Sequence, residues 1–114
     1  MRIAEIYRNG ILTGTLTEDD EQNFIFKYDA VYFADESLPS ISLTLSKKKR
    51  QYVSPFLFPF FSNMLAEGEN REVQSRQLQI DSKDQMGLLL ATAQSDTIGN
   101  ITVKEITAQW KFQP

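Results

Sequence analysis

The chain contains neither cysteine nor histidine. Their absence excludes thiolate nucleophiles, disulfides, thiolate or imidazole metal ligands, and every triad or proton shuttle built on imidazole. Long apolar runs are missing as well. The N-terminus, MRIAEIYRNG, lacks the roughly seven consecutive apolar residues of a signal-peptide core, and nothing approaches the roughly 18 needed to span a bilayer. A cytoplasmic location with no membrane partner is the expectation. There is no excess of positive charge: 12 Lys+Arg stand against 15 Asp+Glu, for a formal net charge of −3. Nonspecific affinity for nucleic acid comes mostly from clustered cations, so direct nucleic-acid binding is not expected. The local exception is Lys47-Lys48-Lys49-Arg50.

What chemistry the remaining residue types could support is also limited. Gly10 and Gly14 lie in a hairpin pattern rather than just before a helix, so they read as turn and strand chemistry and not as a phosphate cradle. The carboxylates fall in the solvated run Glu18-Asp19-Asp20-Glu21 or on helix faces, with no apolar pocket to raise a pKa. That acidic run also lacks the glycine turn of an oxygen-ligand metal loop. No catalytic, cofactor-binding or metal-ligating residue is assigned, and the protein is not expected to be an enzyme.

The 114 residues suit one domain over residues 1–114, with a single core that needs no staples. Arg2 to Arg8 place Ala4 and Ile6 on one face and Ile3 and Tyr7 on the other. Asn9-Gly10 follows, then the β-rich run Ile11 to Thr17. Asn-Gly between two such runs predicts a hairpin, because both central residues of a type I′ turn need φ > 0. Phe24, Phe26 and Tyr28 share one face at period two, which predicts a third strand. Val31-Tyr32-Phe33 reads as a short helical turn. Ile41 to Leu45 alternates and predicts a fourth strand with Ile41, Leu43 and Leu45 inward.

The period then changes. Ser54-Pro55 reads as N-cap and N1 of a helix whose apolar positions are Phe56, Phe60, Phe61, Met64 and Leu65, ending at Gly68. Pro59 lets its regular part begin only near Phe58. Glu69 to Gln79 predicts a polar surface helix. Lys83 to Gln94 predicts a core helix with a stripe of Met86, Leu89, Leu90 and Ala93, capped by Asp81 or Ser82. A turn over Asp96 to Asn100 leads to a last strand, Ile101 to Ile106, pairing with the N-terminal sheet. The fold class is α+β: a small antiparallel sheet, the hairpin plus two to three further strands, packed with two to three helices. Phe56, Phe58, Phe60 and Phe61 cannot all turn onto one helical face, so some are core and others are open to an interface. Trp110 reads equally as a core residue or a partner anchor.

Several blocks together resemble the N-terminal subdomain of HipA-type serine/threonine kinases, the toxins of bacterial persistence-type toxin–antitoxin systems. They are Asn9-Gly10-Ile11-Leu12-Thr13-Gly14-Thr15-Leu16, Phe24-x-Phe26-x-Tyr28, Leu38-Pro39-Ser40-Ile41-Ser42-Leu43, Phe60 to Gly68 (FFSNMLAEG), and Asp96-x-x-Gly99-x-Ile101. The resemblance covers about residues 5 to 106. Ser46, Ala66 and Gln94 depart from it, where the family has proline, proline and glycine; these are turn positions. In the family the kinase body that follows holds the nucleotide loop and the catalytic and metal-binding aspartates. Without them the expectation is a non-catalytic, HipS-like antitoxin of a three-gene HipBST system, which binds and inhibits a HipA/HipT-type kinase. Two alternatives stay open: an accessory subunit completing a split kinase, and a co-regulator binding a HipB-type helix-turn-helix repressor. Charge and expected exposure nominate Lys47, Lys48, Lys49, Arg50 and Tyr52 as a basic aromatic loop facing an acidic partner, with Phe56 as an apolar anchor.

Overall fold

Asn9 and Gly10 both adopt positive φ, 53° and 77°, as a type I′ turn requires. They join β1 (Arg2–Arg8) to β2 (Ile11–Glu18). The structure is a computed structural model that describes residues 1–65, 68–92 and 100–106. β3 (Phe24–Tyr28), β4 (Gln51–Ser54) and β5 (Ile101–Ile106) complete an antiparallel sheet in the order β4-β3-β2-β1-β5. The expected hairpin, third strand and last strand are all present, and the fold is α+β with five strands. Four helices accompany the sheet: α1 (Ala30–Ala34), α2 (Pro59–Ser62), α3 (Gly68–Leu78) and α4 (Gln85–Thr92). That is one more than expected, because the aromatic segment yields only a four-residue helix and the turn after β3 is also helical.

One sheet face carries the core. Ala4, Ile6, Leu16, Phe26, Tyr28 and Val103 are buried there, and Phe61, Met86, Leu88 and Leu89 pack against them. Phe26 meets Tyr28 edge-on at 4.9 Å between ring centroids, and Phe61 lies 5.9 Å from Phe26. Gly14 makes this close approach possible: a Cβ there would stand 2.4 Å from the Lys27 carbonyl oxygen and 3.1 Å from the Phe26 ring. Asp29 caps α1, its Oδ2 accepting from the backbone N–H groups of Val31 and Tyr32. α3 buries none of its residues, in keeping with its polar sequence.

Three expectations are corrected. Ile41 to Leu45 is not a strand: it runs as bends and a turn, and Leu43 is 99% exposed while Ile41 and Leu45 are buried. Side chains satisfy its backbone instead of a ladder. The Tyr28 hydroxyl accepts from Ile41 N and donates to the Leu45 carbonyl, Ser42 Oγ accepts from Leu45 N, and Ser40 Oγ accepts from Lys47 N. Ser54-Pro55 does not begin a helix: Ser54 closes β4, and Phe56 lies outside any helix and is 75% exposed. The helix starts at Pro59 and stops at Ser62, while Gly68 opens α3 rather than ending α2. The cap of α4 is Asp84, whose Oδ1 accepts from Gly87 N at 3.0 Å, and Leu88 joins its buried stripe; Asp81 Oδ1 accepts only from Lys83 N. Ala93, the turn at Asp96 to Gly99, and Trp110 lie outside the described residues.

Candidate partner-binding surface

The basic run sits at the end of a long connection between α1 and β4, and its position is set from the core outward. Tyr28 is fully buried; burial pushes its phenol up from the ordinary value, so it acts as a neutral donor and acceptor that pins Ile41 and Leu45. Tyr32 stacks on it at 6.0 Å and donates to the Pro39 carbonyl at 2.7 Å. The chain then emerges at Ser46, whose carbonyl accepts from the Tyr52 hydroxyl at 2.7 Å.

The nominated residues divide into two groups. Lys47 is occupied by the fold: its ammonium donates to the carbonyls of Asp35 and Leu38, at 2.6 and 2.9 Å, and lies 5.2 Å from the Tyr32 ring centroid. Arg50 directs Nε to the Tyr28 carbonyl at 3.0 Å. Tyr52 is half-buried and ties down Ser46. Lys48 and Lys49 are exposed, as is Arg50 apart from its Nε contact. The Lys49 ammonium stands 5.0 Å over the Tyr52 ring, and that of Lys48 has no partner among the described residues. Phe56 is exposed too, but at the opposite end of β4, so the structure does not gather all six residues at one point.

β4 itself links the two ends. It is an edge of the sheet, and Val53 at its centre is 62% exposed. The Arg50 carbonyl accepts from Tyr28 N at 2.8 Å, which turns alternate residues, Tyr52 and Ser54, toward β3 and leaves the backbone groups of Gln51 and Val53 pointing outward. The surface is therefore a strip: Lys48 and Lys49, then the open edge with Val53, then Phe56. Sequence reasoning missed Val53, because QYVS is too short and too polar to announce a strand.

Beside Phe56 opens a cleft of about 610 Å³, also lined by Pro55 and Leu57, by the acids Glu18, Glu21, Asp81 and Asp84, and by the cations Arg2 and Lys83, so that acids outnumber cations. Arg2 forms part of its floor. Its guanidinium donates to Glu18 from Nε and Nη2, at 2.8 and 2.5 Å, and to Asp84 from Nη1 and Nη2, at 3.0 and 2.7 Å. Hydrogen bonding to Asp84 holds the Arg2 pKa above its ordinary value despite partial burial, and the same contact holds the Asp84 carboxyl below the usual range. The pairing ties β1 and β2 to the start of α4. Arg2 and Asp84 are 82 positions apart, so no local pattern could have announced them. Among the described residues no group of three or more acidic side chains is placed to hold a metal ion, and no helix is long and apolar enough to cross a membrane.

Residues 4–104 match the family model described as the HipA N-terminal domain. Among solved structures, one described as the N-terminal domain of HipA toxin is similar over 96% of this chain and 96% of its own, with a TM-score of 0.72 and 24% identity. That likeness speaks for the fold. No curated protein matches the chain.

Proposed function

The chain belongs to the HipA N-terminal domain family, and from that membership we propose that it is a non-catalytic regulatory module, a HipS-like antitoxin that binds and inhibits a HipA/HipT-type serine/threonine kinase. The proposal takes residues 1–114 as one domain acting in the cytoplasm of a bacterium. The observation that carries it is the exposed strip along β4. Val53 and Phe56 expose 62% and 75% of their surface next to two lysines, and none of the four is needed to close the core. Clustered exposed apolar residues are a common mark of interfaces. Lys48 and Lys49 steer the module toward an acidic, nucleotide-binding partner, while Phe56 supplies an aromatic anchor. Lys47, Arg50 and Tyr52 serve that surface by fixing the loop that presents it.

Inhibition by such a module acts only through a difference in affinity between active and inactive kinase. The test is a titration of purified protein into a HipA/HipT-type kinase from the same source, with phosphoryl transfer as the readout. Activity falls as the module is added, and Lys48→Glu with Lys49→Glu, or Phe56→Ala, moves the midpoint by about tenfold or more. A rise in activity would make the module a completing subunit of a split kinase. Binding to a HipB-type repressor with no effect on the kinase would make it a co-regulator.

A further inference from the structure

Four features of this molecule follow one another around β4: a basic run, a sheet edge with no further strand paired to it among the described residues, an exposed aromatic ring and a cleft in which acids outnumber cations. The basic run precedes β4, and the ring and the cleft lie beyond its far end. Gln51 and Val53 turn their N–H and C=O groups outward, since Arg50, Tyr52 and Ser54 face β3. Among the described residues nothing pairs with these groups, and an edge of that kind is a template for another strand.

We propose that β4 pairs antiparallel with β4 of a second copy of this chain, across a two-fold axis at Tyr52. In that register Gln51 of one copy exchanges backbone hydrogen bonds with Val53 of the other. Because the pairing is antiparallel, the residues before β4 in one copy lie beside the residues after β4 in the other. Beyond the four strand residues the chains bend, and the order of the segments brings Lys48 and Lys49 of one copy toward Pro55 and Phe56 of the other, at the mouth of the cleft where Glu18, Glu21, Asp81 and Asp84 outnumber Arg2 and Lys83. Glu18 and Asp84 are both paired with Arg2. Glu21 and Asp81 form no ion pair among the described residues and are the carboxylates available to the incoming lysines; Lys83, the cation on the same lining, is not ion-paired to either of them. An ammonium over an aromatic face adds to the attraction. Each contact occurs twice, as an isologous interface requires.

The charge order decides for a second copy over an unrelated strand. A cationic end and an anionic end on the same edge make that edge self-complementary when two copies run antiparallel, with no further requirement on the sequence of a partner. The interface is small, since the strand has four residues and Pro55 ends it, so association is weak and reversible. It also uses the strip assigned above to the kinase, so a self-paired module is not available to a kinase. The inference does not depend on that assignment.

Sedimentation equilibrium of the protein alone tests it, from about 10 µM to about 1 mM and at low and high salt. The mass rises from the 13.1 kDa of one chain toward twice that value, less steeply in high salt. Val53→Pro removes an outward N–H that β3 does not use, and it holds the protein monomeric while its melting curve stays close to the parent's. Lys48→Glu with Lys49→Glu weakens association about tenfold or more, and mixing that variant with Glu21→Lys, Asp81→Lys restores a heterodimer. A mass of 13.1 kDa at every concentration would overturn the inference. So would association that survives both Val53→Pro and the lysine reversal, or a charge-swapped mixture that does not pair.

Discussion

Replacing Tyr28 with phenylalanine deletes one oxygen from a fully buried ring, and its consequences fall on the segment that delivers the basic run. That hydroxyl accepts from Ile41 N at 2.9 Å and donates to the Leu45 carbonyl. Phenylalanine fills the same apolar volume, so packing is kept while two backbone groups lose their partner. Each buried polar group left unsatisfied costs about 1–3 kcal/mol. The Ile41 to Leu45 segment reaches the surface at Leu43, so water recovers part of the loss and the expected cost is about 2–3 kcal/mol. In a domain of this size that lowers the melting temperature by about 10–15 °C. Urea and thermal denaturation followed by far-ultraviolet circular dichroism measure it. Tyr32→Phe is the internal comparison: it loses one bond, to the Pro39 carbonyl at 2.7 Å, and costs about 1 kcal/mol. Because the loop is released, trypsin also cuts faster after Lys47 to Arg50 in Tyr28→Phe. A cost within about 0.5 kcal/mol of the parent, or one no larger than that of Tyr32→Phe, would refute the reasoning.

Other outcomes rest on single contacts. Gly14→Ala places a Cβ 2.4 Å from the Lys27 carbonyl oxygen; that atom is backbone and yields only by moving the β2–β3 pair, so stability drops by about 1–3 kcal/mol in urea. Leu43→Ser changes stability by less than about 0.5 kcal/mol because the side chain is in water, whereas Ile41→Ala costs about 2–4 kcal/mol; equal costs would restore a strand with Leu43 inward. The acid limb of stability reports on Arg2. Asp84 has a lower pKa folded than unfolded through its hydrogen bonds to Arg2, so its contribution is complete above the ordinary carboxylate value of about 4 and is lost as pH falls through the folded value. Asp84→Asn flattens the urea midpoint over about pH 5 to 2, and because the pair is partly exposed, salt reduces the difference. A variant whose midpoint falls as steeply as the parent's would count against the pairing.

Whether a feature is legible in the sequence depends on whether its contacts are local. Asn9-Gly10 dictates its own turn, and Phe24, Phe26 and Tyr28 need only the period of a strand to find the same face; both are written in consecutive residues. The same alternation misleads at Ile41 to Leu45, where a hydroxyl 13 positions away from Ile41 takes the backbone groups a ladder would have used. β4 is hidden for the converse reason: Tyr52 and Val53 favour a strand, but four residues are too few to announce one, and pairing with the edge of β3 fixes it. The basic run can be found from charge alone. That Lys47 and Arg50 are diverted to carbonyls, leaving Lys48 and Lys49 outward, depends on where Asp35, Leu38 and Tyr28 come to lie. Phe56 is expected as an anchor on a helix and is found exposed in the bend that follows β4, so its exposure results from the absence of that helix. The Arg2 pairing joins residues 16 and 82 positions apart and has no sequence signal.

The central proposal is that this module silences a kinase, and co-expression with a HipA/HipT-type kinase from the same source tests that most directly, with growth and the recovered complex read together. The account predicts that growth is rescued and that the two proteins purify as one complex, with Lys48→Glu, Lys49→Glu losing both. Co-purification with undiminished or greater toxicity, or rescue that is indifferent to the lysine reversal and to Phe56→Ala, would contradict it.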